Sequence, residues 1–203
     1  MNKAAVNTIL FIFLSLHLTA CATTKWKDQW KDKSFSTTAE DIFVVAVVPN
    51  SGPRAIIENE LVRQLKERGI KAIGSNEVIQ EDTKLTKSTV LPVAKARGAD
   101  TILVVKFMKR ETSDSYAPAR DSGVPVTFDA NIDSLFQFPE TKPDDLPYDF
   151  FLATMQLTLY EVKNEKKIWS AISETKYQGG GLNQIKPYTY AVLQKLIEEK
   201  LIR

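Results

Sequence analysis

The stretch IFVVAVVPNSGPRAIIENELVRQLKERGIKAI, residues 42–73, contains a strand, a break, a helix and a second strand in that order. Ile42 to Val48 is an unbroken apolar run rich in β-branched side chains, the pattern of a strand buried on both faces. Pro49-Asn50-Ser51-Gly52-Pro53 stops it. From about Arg54 to Arg68, Ile57, Leu61 and Leu65 recur every fourth residue, while Glu58, Arg63, Lys66 and Glu67 point away, as on an amphipathic helix. This reading makes Arg54 and Glu58, four residues apart, a surface ion pair worth a few tenths of a kcal/mol. Gly69 suits the left-handed cap that closes such a helix, and Ile70 to Ile73 begins a short strand.

Further along the chain the same alternation continues. Asn76 to Gln80 reads as a helical turn, and Ser88 to Arg97 as a second helix closed by Gly98. Pro92 has no N–H to give and belongs in that helix's first turn. Asp100, just ahead of the next strand, has the chemistry of a turn residue. Thr101 to Met108, TILVVKFM, is another buried strand. A β-α-β-α-β order implies mainly parallel pairing and right-handed crossovers. In FFLATMQLTLYEV, residues 150–162, apolar positions alternate with Thr154, Gln156, Thr158 and Tyr160, which predicts a strand with one wet face. Lys163 to Lys166 turns the chain, and Lys167 to Tyr177 returns as the second arm of an antiparallel hairpin, with Trp169 in the packing. Asn183 can cap a final helix reaching about Leu201, with Pro187 near its start. Val192, Leu193, Leu196, Ile197 and Leu201 form its buried stripe. The fold expected is an α/β two-layer sandwich: a mixed sheet of about five strands, in the order β-α-β-α-β-β-β-α, with helices packed on it.

The N-terminus carries a different message. Lys3 is the only charged side chain before residue 25, and Ile9 to Leu18 is almost wholly apolar. Ten residues fit the core of a signal peptide and are too few to span a bilayer comfortably. The run ends in Leu18-Thr19-Ala20-Cys21, which resembles the lipobox of bacterial lipoproteins. That resemblance implies cleavage after residue 20 and a Cys21 carrying diacylglycerol and an N-acyl chain. Each buried methylene adds about 0.8 kcal/mol, so such chains anchor permanently. Ala22 follows where an aspartate would retain the protein at the inner membrane of enteric-type bacteria, so the resemblance implies the outer membrane, facing the periplasm. The domains expected are a signal peptide over 1–20, a lipidated tether over 21–40, and a single α/β domain over 41–203. Within the tether, Trp26 and Trp30 stand among Lys25, Lys27, Lys31 and Lys33, a membrane-proximal composition.

What the mature chain lacks narrows its chemistry. Cys21 is the only cysteine, and the one histidine, His17, lies in the leader. Ser-His-Asp and Cys-His nucleophile systems and zinc sites built on His or Cys are therefore excluded. The near-neutral mature charge provides no basic field for nucleic acid. Carboxylate pairs, Ser-Lys dyads and calcium sites remain, with acids concentrated in residues 110–149, which hold five of the nine prolines and nine acids against three basic residues. Insertions of this length are usually functional or disordered. Asp114, Asp121, Asp129, Asp133, Asp144, Asp145 and Asp149 are oxygen donors of the type calcium takes, but no D-x-D-x-D-G loop is present, and no metal or other cofactor is expected. Tyr116, Phe128, Phe136, Phe138 and Tyr148, interleaved with the acids, are the candidate partner contacts.

Spread along the chain, Trp30-Lys31-Asp32, Ile42 to Val48, Arg54, Glu58, Leu61, Arg68-Gly69, Gly98-Ala99-Asp100, Leu159-Tyr160-Glu161-Val162 and Lys167-Ile168-Trp169-Ser170, together with the lipobox, resemble a family of bacterial envelope lipoproteins of unknown function. The resemblance spans most of the mature chain except 110–149. The element order is also similar to the TolB N-terminal region and to CsgG-like and LpoB-like lipoproteins, an analogy of fold, which does not set function. Together these imply a non-catalytic adaptor that binds an envelope protein. Two alternatives stand: a self-assembling ring component of an export apparatus, and an enzyme built on paired carboxylates.

Overall fold

The structure is a computed structural model, and it describes residues 24–48, 51–112, 150–178 and 185–203. Its elements are β1 (Thr24–Lys31), β2 (Asp41–Val47), α1 (Ser51–Glu67), β3 (Lys71–Gly74), a 3-10 turn (Ser75–Glu77), α2 (Lys87–Ala96), β4 (Thr101–Thr112), β5 (Phe150–Glu161), β6 (Lys166–Gln178) and α3 (Ile185–Glu198). The strands form one open mixed sheet in the order β1-β6-β5-β4-β2-β3. β2 pairs in parallel with both β3 and β4, and the remaining pairs are antiparallel. The α/β class and the mixed sheet with helices packed on it are as the sequence indicated.

The sixth strand corrects the tether reading. Thr24–Lys31 pairs antiparallel with β6 from Thr24↔Thr175 to Lys31↔Trp169, with a bulge between Trp26 and Gln29. The Thr24 and Thr175 hydroxyls are 2.9 Å apart, and Lys31 Nζ donates to the Glu199 carbonyl. The segment therefore forms an edge of the sheet rather than a free linker.

Both helix-ending glycines take positive φ, Gly69 at 77° and Gly98 at 76°, so each turns its helix into the next strand without a Cβ in the way. At the start of α2, the Thr86 hydroxyl accepts from Thr89 N–H at 3.2 Å, and Thr89 Oγ1 accepts from Thr86 N–H at 2.9 Å. Pro92 is the sixth residue of α2, not in its first turn, so the helix forgoes the bond that its missing N–H would make.

Side-chain alternation divides the core. On one face Ile42, Val44, Ala46, Leu103, Val105, Leu157, Leu159 and Trp169 pack against Leu61 and Leu65 of α1 and Tyr188, Val192 and Leu196 of α3. On the other face Phe43, Val45, Val47, Ile102, Val104 and Tyr160 pack against Val90, Leu91 and Ala94 of α2. β2 and the first half of β4 are thus apolar on both sides, which explains their unbroken hydrophobic runs. Asp100 ties the strand starts together: its Oδ2 accepts from the N–H groups of Glu40 and Asp41 at 2.9 and 3.1 Å.

Candidate functional site

The tightest polar cluster lies where the parallel strands end. Glu58, fully buried on α1, accepts through Oε1 from Ala46 N–H at 2.8 Å, Ser75 Oγ at 2.7 Å and Arg54 Nε at 3.2 Å. Its Oε2 accepts from Asn76 N–H at 2.6 Å. Arg54, also buried, donates through Nη2 to Ser75 Oγ at 2.9 Å. The sequence placed this pair on the surface; the structure buries it, because the face of α1 that carries residues 54 and 58 meets the ends of β2 and β3. Burial raises the Glu58 pKa, and this outweighs the opposing pull of Ala46 N–H, Ser75, Asn76 N–H and Arg54. Every polar atom of the carboxylate is engaged within the protein. The cluster joins α1, β2 and β3, and it presents no carboxyl group to a substrate.

The second polar feature is the sheet face opposite α1 and α3, beyond the contacts of α2. There Thr154, Gln156 and Thr158 of β5, expected to be wet, are buried, as are Lys106 of β4 and Ser170 of β6. Thr158 and Ser170 hydroxyls are 3.1 Å apart across the β5–β6 ladder, and Ser170 Oγ donates to the Leu157 carbonyl at 2.9 Å. Burial lowers the pKa of Lys106. Next to these, Ile172 is buried yet belongs to neither core cluster.

Of the residues singled out in the sequence, Cys21, Tyr116, Phe128, Phe136, Phe138 and Tyr148, together with the aspartates of the insertion, lie outside the described residues. The two tryptophans of β1 part company. Trp26 is half-buried and packs against the core beneath α1 and α3. Trp30 is 38% exposed on the opposite face, with Lys167 Nζ 4.9 Å from its ring centroid. Trp169 is wholly buried in the core, as its sequence context indicated. Among the described residues, no three His, Cys, Asp or Glu side chains are grouped to hold a metal ion. Shallow hollows among the described residues include one of about 240 Å³ between α1 and α3, lined by Gln64, Glu67, Arg68, Tyr190 and Leu193, and one of about 580 Å³ lined by Ser36, Thr37, Thr38, Glu40, Asp100 and Arg203. No described helix is long and apolar enough to cross a membrane.

The fold defines the class at this level: an open mixed α/β sheet with a charged edge strand and a long insertion between β4 and β5. The sequence matches no protein-family model and no curated protein. Similar solved structures include the PelC dodecamer from Paraburkholderia phytofirmans, 10% identical over 89% of this chain and 99% of that one, with a TM-score of 0.46. Another is lipoprotein GNA1162 from Neisseria meningitidis, 12% identical over 78% of this chain and 98% of that one, with a TM-score of 0.41. At that level of likeness neither assigns a role to this chain.

Proposed function

We propose that this chain is an outer-membrane lipoprotein, anchored by diacylglycerol and an N-acyl chain on Cys21 and facing the periplasm. In this reading it binds another envelope protein and is not an enzyme. The observation that carries the reading is Leu18-Thr19-Ala20-Cys21 at the end of a short apolar run, with Ala22 rather than an aspartate after it. The absence of histidine and of any second cysteine from the mature sequence supports a binding role over catalysis. Candidate contacts are Tyr116, Phe128, Phe136, Phe138 and Tyr148 in the acidic insertion. The substitution Cys21→Ala is expected to move the protein from the membrane to the soluble periplasmic fraction. Retention in membranes after a high-salt wash would sink the lipid-anchor reading. Photo-crosslinking from position 128 or 136 is expected to capture one dominant envelope protein.

A second reading, a ring of copies on the membrane, has one feature in its favour. The sheet is open, and β1 and β3 at its two edges each pair on one side only among the described residues. A ladder of self-crosslinks and a large discrete particle in mild detergent would select the ring over the adaptor.

A further inference from the structure

The described chain begins three residues after Cys21, and it begins inside a ladder. A chain advances at most about 3.6 Å per residue, so Thr24 lies within about 11 Å of the Cys21 backbone. Thr24 is not free to swing away, because β1 is paired with β6 and Trp26 is packed against the core.

The sheet's register then decides what else lies at that level. Thr24 pairs with Thr175, Thr175 with Ala153, and Ala153 with Arg110, so one row crosses β1, β6, β5 and β4. Strands are about 4.8 Å apart, so this row is about 15 Å wide. Beyond it, β4, β5 and β6 run on past Thr24, the N-terminal end of β1. Thr112 pairs with Phe151 and Phe151 with Tyr177, two residues further, and Phe150 pairs with Gln178, three residues further. At about 3.3 Å per residue that overhang is about 7–10 Å, nearly the whole reach of the Cys21 link. The overhang of the strand ends is thus no longer than the reach of the Cys21 link, so a lipid-bearing Cys21 leaves this end of the sheet close to the bilayer. The last open-face positions there include Lys25 and Lys109 in one row and Lys176 in the next, with Glu174 between the first two. Lys25 and Lys176 are exposed, as is Lys27, whose Nζ is 3.1 Å from Glu174.

We propose that the protein stands on this end of its sheet: the ends of β4, β5 and β6, with Lys25, Lys27 and Lys176 beside them, rest on the lipid headgroups. The surface recognised is a bilayer carrying anionic headgroups. The proposal rests on lipidation of Cys21. Its consequence is that the chain leaves β4 at Thr112 and re-enters β5 at Phe150 at headgroup level. A partner reached through the intervening residues is then met at the membrane surface, while the 162–165 turn and Trp30 lie at the far end of the sheet.

The test uses the full lipidated chain in vesicles of zwitterionic phosphatidylcholine and anionic phosphatidylglycerol, with a nitroxide on a fraction of the headgroups. Cys21 is acylated, so a single introduced thiol takes an environment-sensitive fluorophore cleanly. Lys176→Cys near the end of β6 and Asn164→Cys in the turn that precedes it place the probe about 30 Å apart along the sheet. Strong quenching at 176 with none at 164 is the expected result. Equal quenching at both positions, or more at 164, overturns the orientation. The mass of the N-terminal peptide separates the two readings: lipid present with the wrong quenching order defeats the orientation alone, while lipid absent defeats the anchor and the orientation with it. In a soluble Cys21→Ala variant, replacing Lys25 or Lys176 by alanine is expected to weaken partitioning onto the same vesicles by about fivefold each. No change in partitioning would remove the lysines from the proposed surface.

Discussion

At the scale of single residues, the Arg54–Glu58 pair shows how spacing and environment part. Two opposite charges at i and i+4 read as a solvated helix pair, since charged side chains are seldom fully buried. Their actual partners, Ala46, Ser75 and Asn76, are 12–18 residues from Glu58, and nothing local announces them. Replacing Glu58 with alanine leaves the Ala46 and Asn76 N–H groups and the Arg54 guanidinium buried without their acceptor. The expected loss is about 3–5 kcal/mol, measured by denaturant unfolding. A loss within experimental error would mean the cluster is solvated. The titration adds a sign. Burial holds the Glu58 pKa above its ordinary 4.5, so the folded state binds this proton more tightly than the unfolded chain does. That contribution to stability is complete below about 4.5 and is lost as pH rises through the folded value. Glu58→Gln should flatten this part of the stability profile; an unchanged slope would assign it to another group. Trp169 offers a contrast. It is wholly buried, but its Nε1 makes no hydrogen bond among the described residues. Trp169→Phe therefore sacrifices volume and no bond, and should cost less than Trp169→Ala, for which about 3–5 kcal/mol is expected. Equal costs would point to a partner for the indole N–H.

Elements were legible wherever one face or both were apolar. The runs at 42–47 and 102–105 announced strands because helices cover both of their faces. β1 did not announce itself. TKWKDQWK carries four charges in eight residues, and its exposure alternates only weakly. Edge strands tolerate such composition because one side of the ladder is wet, and lysines there discourage pairing with a second molecule. Only Trp26 signals the core, and a tryptophan among lysines reads equally well as a membrane-interface residue. β5 misleads in the opposite direction: Thr154, Gln156 and Thr158 alternate like solvent-facing residues but are buried, their hydroxyl and amide groups giving no local sign of cover. The status of β1 can be measured directly. Its amides bonded to β6 should exchange with deuterium far more slowly than those of an unstructured peptide, and Trp26→Ala should cost about 2 kcal/mol, less than a fully buried tryptophan. Free-peptide exchange across 24–31 would restore the tether.

For the molecule as a whole, the antiparallel register of β4 and β5 predicts how the sheet responds to losing its insertion. Thr112 faces Phe151, and facing residues in an antiparallel pair have Cα atoms about 4.5–5.5 Å apart. A tight hairpin turn closes that gap, so the sheet does not depend geometrically on the long connection. Replacing residues 113–149 with a short Asn-Gly turn should leave the far-ultraviolet spectrum and a single cooperative unfolding transition in place. Among the described residues, the core clusters of α1, α2 and α3 are already continuous across both faces of the sheet. The same variant, used as affinity bait, should lose any envelope partner that crosslinking identifies in the intact chain, while an anchor at Cys21 would be kept, since Cys21 and β1 are untouched. If the partner is still captured, recognition belongs to the sheet or its edges. If cooperative unfolding is lost, residues 113–149 serve the core, and the buried strip of Lys106, Gln156 and Ile172 becomes the first place to look for what they cover.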